Sequence, residues 1–140
     1  MEETSEKSIT LTREAEGVYV ARSPGGAELR FGHNVPGAFS SVELLMVALA
    51  GCSATDVDMV TSRRAEPTVF DVTVTADKVG GTTPAILRNV VAEFDVQFPE
   101  GEAGDKARDR VVPALQAAHD RTCTVSRTIQ NAVDVEFRTV

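Results

Sequence analysis

Two cysteines, Cys52 and Cys123, stand 71 residues apart in this chain. A cysteine sulfur cycles between thiol, sulfenic acid and disulfide, and the thiolate is the form that attacks. Cys52 lies near the end of LLMVALAGCSA, the longest apolar run in the sequence. In such a run a free cysteine is ordinarily packing material. The alternative is a reactive group held inside a dry helix. A mid-helix thiol gains nothing from a helix N-terminus, burial raises its pKa, and Asp56 one turn on would push the same way if it faced the thiol. Reactivity at Cys52 therefore needs a cation or several donors brought from elsewhere. Arg13, Arg22, Arg30 and Arg127 are the candidates. Cys123 follows Arg121-Thr122 and opens a predicted short helix, where backbone N–H groups stabilise a thiolate. Thr124 and Ser126 beside it are polar, and Arg127 lies one turn on. Its plainer reading is a capped turn with an incidental thiol. The residues alone leave both cysteines open.

Other chemistries fit less well. His33 and His119 invite a mixed Cys/His metal site, but there is no CxxC and no HxxxH, and each ligand falls in a separate element. No GxSxG elbow and no phosphate-binding glycine loop is present; Gly25-Gly26 and Gly80-Gly81 read as turns. The expectation is no metal and no bound cofactor. A formal charge of −7 argues against nucleic acid and anionic lipid, which need a positive field. No segment is read as approaching the ~18–20 apolar residues of a membrane span. MEETSEKS is polar and acid-rich, without signal-peptide character. Residues 1–8 are read as a flexible tail and 9–140 as a single domain. Two cysteines without an export signal suggest the reducing cytoplasm, where paired thiols serve catalysis or metal binding rather than permanent cross-linking.

The surrounding elements must position the sulfurs. Short strands are predicted at Ile9 to Arg13, Val18 to Arg22 and Ala27 to Phe31, with Ser23-Pro24-Gly25-Gly26 as a turn. His33 to Ala38 reads as a loop. A helix then starts with a capping box, Ser40 and Glu43, and a staple, Phe39 with Leu44. It is predicted to run from Ser41 to about Arg63. Its first half is apolar all round and so is expected to be buried all round. Asp56, Asp58, Arg63 and Arg64 should bring its far end to solvent, and Pro67 stops any continuation. Val69 to Asp77 and Leu87 to Phe98 alternate as strands, joined across Gly80 to Pro84. A second helix is expected from about Asp105 to His119, with Pro113 tolerable only at a kink or near the true start. Cys123 to Gln130 reads as a short helix, and Val133, Val135 and Phe137 as a final strand. Hairpins with inserted helices make an α+β fold. One domain of 140 residues struggles to surround a helix apolar on every side, so a homodimer with a shared core is expected.

VELLMVALAGCSATDVDMV resembles the central-helix signature of the OsmC/Ohr family of thiol peroxidases, and TCTVSRTI resembles that family's second cysteine motif. The predicted element order is similar from Ile9 to Phe137. The resemblance implies an intertwined α+β homodimer with antiparallel sheets around a long buried central helix. It implies Cys52 as the peroxidatic residue and Cys123 as the resolving one, joined as a disulfide after each turnover and reset by an external dithiol. No cofactor is implied. Organic hydroperoxides would be the substrates, with hydrogen peroxide used less well. Family members add an Arg from the N-terminal strands, for which Arg13 is nearest in the chain and Arg30 the alternative. They also add a Glu ten residues before the first cysteine; that position is Val42 here, with Glu43 next to it. Arg127 is a further supporting candidate. The alternative function is a non-enzymatic redox sensor, or a small apolar ligand-binding protein, on the same scaffold.

Overall fold

The computed structural model describes residues 2–81 and 84–140. The chain packs as two units, one ending at Leu45 and the other spanning Met46–Val140. In the first, β1 (Thr10–Ala15), β2 (Val18–Arg22) and β3 (Glu28–Phe31) form an antiparallel sheet in the order β1-β2-β3, the expected meander. Gly17 turns β1 into β2 with φ at +69°, where a Cβ would strike the His33 ring. Ser23 closes the next turn: its N–H donates to Ala27 O at 3.0 Å, and its hydroxyl accepts from the Ala27 N–H at 3.1 Å. Val18, Val20 and Phe31 are the buried residues of this sheet.

Helix α1 runs from Ser41 to Thr61. Its capping box forms as the sequence indicates. The Glu43 N–H donates to Ser40 Oγ at 3.1 Å, and the Ser40 N–H donates to Glu43 Oε1 at 2.8 Å. The helix ends two residues short of the expected Arg63, and the Arg64 guanidinium reaches back to the Val60 carbonyl at 3.4 Å. Two expectations need correction. First, α1 is long and apolar enough to cross a membrane. Its Ala, Gly, Ser and Thr residues are neutral enough to extend the apolar run. Second, it is not buried on every side within the chain. Leu49, Ser53, Val57 and Thr61 alone are buried, a single row at four-residue spacing. Val42, Leu45, Val47 and Met59 are exposed. Hydropathy shows that a face is apolar; it does not show what covers it. Ser53 and Thr61 donate their hydroxyls to the Leu49 and Val57 carbonyls, at 2.7 and 3.0 Å.

Strands β4 (Val69–Val79) and β5 (Ile86–Gln97) pair antiparallel. Phe70, Val72, Val74 and Ala76 are half-buried, while Asp71, Thr73, Thr75 and Asp77 are exposed, as their alternation predicts. The loop expected from Gly80 to Pro84 falls partly on residues 82 and 83, outside the described residues. A bulge opposite Ala76 places two residues, Asn89 and Val90, against one. Asn89 takes φ +52° there and donates Nδ2 to Asp77 Oδ2 at 2.8 Å. The extra residue breaks the simple alternation expected along β5. Leu87 and Ala92 are half-buried in spite of their odd spacing, while Val90 is exposed.

The helix expected from Asp105 to His119 is two helices, α2 (Glu102–Arg108) and α3 (Val111–Ala117). Pro113 explains the division. It lies in the first turn of α3, where its missing N–H has no intrahelical partner to lose. A π-helical turn, Ala118–Thr122, follows, then α4 (Thr124–Gln130). The final strand is not formed: residues 132–140 have no regular structure. Val133, Val135 and Phe137 are exposed, Phe137 at 95%. A strand needs an edge to pair with, and alternation supplies only the side chains.

Candidate active site

Cys123 is held by the backbone on both sides. As α3 ends, the helix widens by one residue into the π turn, and the Cys123 N–H donates to the Ala118 carbonyl at 3.1 Å. Cys123 then turns extended and caps α4, as the sequence suggested. Its Sγ accepts from the Ser126 N–H at 3.4 Å. The residue is fully buried.

Cys52 lies in the middle of α1, half-buried. Its thiol is near enough to Cys123 to push that thiol's pKa upward, and both are free thiols. Asp56, one turn further along α1, is half-buried and accepts from the Thr122 hydroxyl at 2.9 Å. Four influences set the state of Cys123. Burial pushes its thiol above the usual value most strongly, and the Ser126 N–H pulls it down. The Cys52 thiol and the Asp56 carboxylate push it up again. The cap expected at this helix start is there, but burial works against it, and the balance of these influences raises the Cys123 thiol above its ordinary value. The sequence showed the cap and not the burial.

The other candidates are placed as follows. Arg13 is exposed on β1, opposite Tyr19 of β2. Arg22 pairs with Glu28 and Arg30 with Glu14, each at 3.0 Å across the three-stranded sheet. Glu43 serves the capping box, where the Ser40 N–H and hydroxyl hold its carboxyl below the usual range. Arg127 is exposed on α4. His33 is exposed in the loop after β3. Among the described residues no three His, Cys, Asp or Glu side chains gather as a metal-ion site would require.

His119 has a different setting. Its Nδ1 lies 2.7 Å from Asp120 Oδ1, and its ring lines a cavity of about 220 Å³. Leu49 and Ser53 of α1, Phe94 of β5 and Leu115 of α3 form much of the remaining wall, which is mostly apolar. Ser126 reaches the same cavity. The residue whose N–H supports Cys123 therefore also borders a space fit for an apolar molecule. Sequence reasoning missed two partners, Thr122 as the donor to Asp56 and His119 as a cavity residue. The one available signal was Asp56 standing four residues after Cys52, on the same helix face.

The Asp56–Thr122 hydrogen bond joins the helix carrying Cys52 to the segment carrying Cys123, and the α+β order around them defines the class. The OsmC-like protein family model matches residues 32–138, and the chain belongs to that family. Uncharacterized protein Rv2923c of Mycobacterium tuberculosis is 31% identical over 126 residues, covering 87% of this chain and 88% of its own. The OsmC-like protein of Mycoplasma pneumoniae superposes with a TM-score of 0.66 at 15% identity, over 90% of this chain and 88% of that one. An OsmC-like hydroperoxide resistance protein from Jannaschia sp. superposes with a TM-score of 0.51 at 17% identity, over 88% and 83%. At these identities the structures establish the α+β OsmC-like fold.

Proposed function

We propose that this chain is a cysteine-dependent peroxidase that reduces organic hydroperoxides, and hydrogen peroxide less well. One observation supports the reading: the Asp56–Thr122 hydrogen bond ties the helix of Cys52 to the residue just before Cys123, 71 positions on from Cys52 in sequence, and the Cys52 thiol is near enough to raise that of Cys123. The Cys52 thiolate attacks the peroxide O–O bond. It becomes a sulfenic acid, and the alkoxide takes a proton from solvent and leaves as the alcohol. Cys123 then attacks the sulfenic sulfur. Its proton and the departing hydroxide form water, and a Cys52–Cys123 disulfide remains. An external dithiol restores both thiols by two exchanges and is itself oxidised. The neutral state of Cys123 supports this division of labour, because a protonated thiol does not compete for peroxide. A structural neighbour named for hydroperoxide resistance supports the substrate class. The exposed apolar face of α1 and the unpaired alternating C-terminal segment support a homodimer, with a second copy covering both. The reading goes with a reducing location such as the cytoplasm, where an external dithiol can reset the pair.

Peroxide consumption with cumene hydroperoxide and hydrogen peroxide, driven by several dithiols, tests the reading. The wild-type protein should turn over, and Cys52→Ser should lose essentially all activity. Equal turnover in the two would overturn the proposal. A second reading, a redox sensor or binder of a small apolar molecule, is favoured by the engagement of Glu43 and Arg30 elsewhere and by the apolar cavity. It predicts reversible disulfide formation without sustained turnover, or an apolar ligand that copurifies.

A further inference from the structure

Asp56 lies outside the reactions just described, and its surroundings give it a task. It follows Cys52 by one turn of α1, so the two side chains share a helix face. Its carboxylate accepts from Thr122, the residue immediately before Cys123, at 2.9 Å. The partners are 66 positions apart in sequence. Among the described residues no other side-chain hydrogen bond joins α1 to the segment running from α3 to α4.

Thr122 also closes the π turn. A turn of this kind carries one residue more than an α-helix needs, and such turns recur at functional sites. Here the extra residue brings the Thr122 hydroxyl to Asp56 while the next residue, Cys123, turns inward and is fully buried. The two cysteines come from elements far apart in sequence. Their alignment depends on a fixed contact close to both, and the Asp56–Thr122 bond lies one turn from the first and one residue from the second.

We infer that Asp56 is a positioning residue that clamps the Thr122–Cys123 corner onto α1 and so sets the alignment of the two sulfurs for disulfide closure. The inference rests on the reading of Cys52 and Cys123 as a pair that closes to a disulfide. It does not depend on peroxide being the oxidant. Asp56 touches no reacting atom in this scheme and acts through Thr122. Its negative charge has a secondary influence on Cys123, in the same direction as burial.

The test is equilibration of the full-length protein with reduced and oxidised glutathione. In that exchange two protein thiols and one glutathione disulfide give one protein disulfide and two glutathione thiols. The ratio at equilibrium gives the effective concentration of one protein thiol at the other. Loss of a hydrogen bond to a charged group should lower it about tenfold in Asp56→Ala. Thr122→Val should match that loss, which covers the case in which Asp56→Ala folds poorly. Thr122→Ser should restore the wild-type value, and Asp56→Asn, which keeps an acceptor oxygen, should restore most of it. A general loss of stability would not be rescued in this pattern. Wild-type effective concentrations in both Asp56→Ala and Thr122→Val would overturn the inference. In parallel, a sulfenic-acid trapping reagent added with cumene hydroperoxide should capture about ten times more Cys52 in Asp56→Ala than in wild type, because Cys123 competes less well. If wild-type protein consumes no peroxide, the peroxidase reading fails, and the glutathione equilibrium still decides the role of Asp56.

Discussion

The two sulfurs have unlike surroundings, and their reactivities should differ accordingly. Cys123 is fully buried and held neutral, whereas Cys52 is half-buried on a helix face. In the folded protein at pH 8, iodoacetamide should modify Cys52 first, with Cys123 reacting at least roughly tenfold more slowly than in the denatured chain. Peptide mass mapping over time measures both rates. The raised Cys123 pKa also bears on stability. Folding holds the proton more tightly than the unfolded chain does, so the contribution is intact below the ordinary thiol value of 9.0 and is lost as pH rises through the folded value. Denaturation midpoints should therefore fall above pH 9.0 in wild type and fall less steeply in Cys123→Ala. Equal slopes would show that burial does not govern this thiol. At this scale the sequence identified the two sulfurs and the cap over Cys123. The burial that reverses the effect of the cap comes from residues distant in the chain, and no local pattern carries it.

Among the elements, α1 was the most legible because its start signal is local. Ser40 and Glu43 satisfy each other's backbone N–H groups three residues apart, so the pattern is complete within one turn. Ser40→Ala should cost about 1 kcal/mol in chemical denaturation. Glu43 adds a pH dependence. Its lowered carboxyl contributes fully above the ordinary 4.5 and loses its contribution as pH falls through the folded value, so Glu43→Gln should flatten that acid limb. Elements whose form depends on distant chain were less legible. Pro113 announced a break without locating it, and the division fell just before it so that the proline sits in a first turn. The bulge at Asn89 reflects a pairing register set jointly by two strands, and neither strand encodes it alone. The π turn left no trace in the sequence, since it is defined by which carbonyl the Cys123 N–H selects.

At the scale of the molecule, the α+β class and the family were legible because two cysteine motifs in order are nonlocal information already written in the chain. What covers the apolar surface was not. Leu45 and Val47 on α1 are exposed, and Val133, Val135 and Phe137 extend without a partner strand. If a second copy covers them, sedimentation at micromolar concentration should give a dimer. Leu45→Arg or Phe137→Asp should shift the protein toward monomer. A monomeric wild-type protein would remove the shared core from the proposal.

The row formed by Leu49, Ser53, Val57 and Thr61 has a further consequence. Both hydroxyls in it donate to carbonyls of their own helix, so neither has a hydrogen left for a neighbour. That seam offers its neighbours bulk, contour and two acceptor oxygens but no donor, so any donor-led fastening of the Cys123 segment to this helix has to lie off the seam.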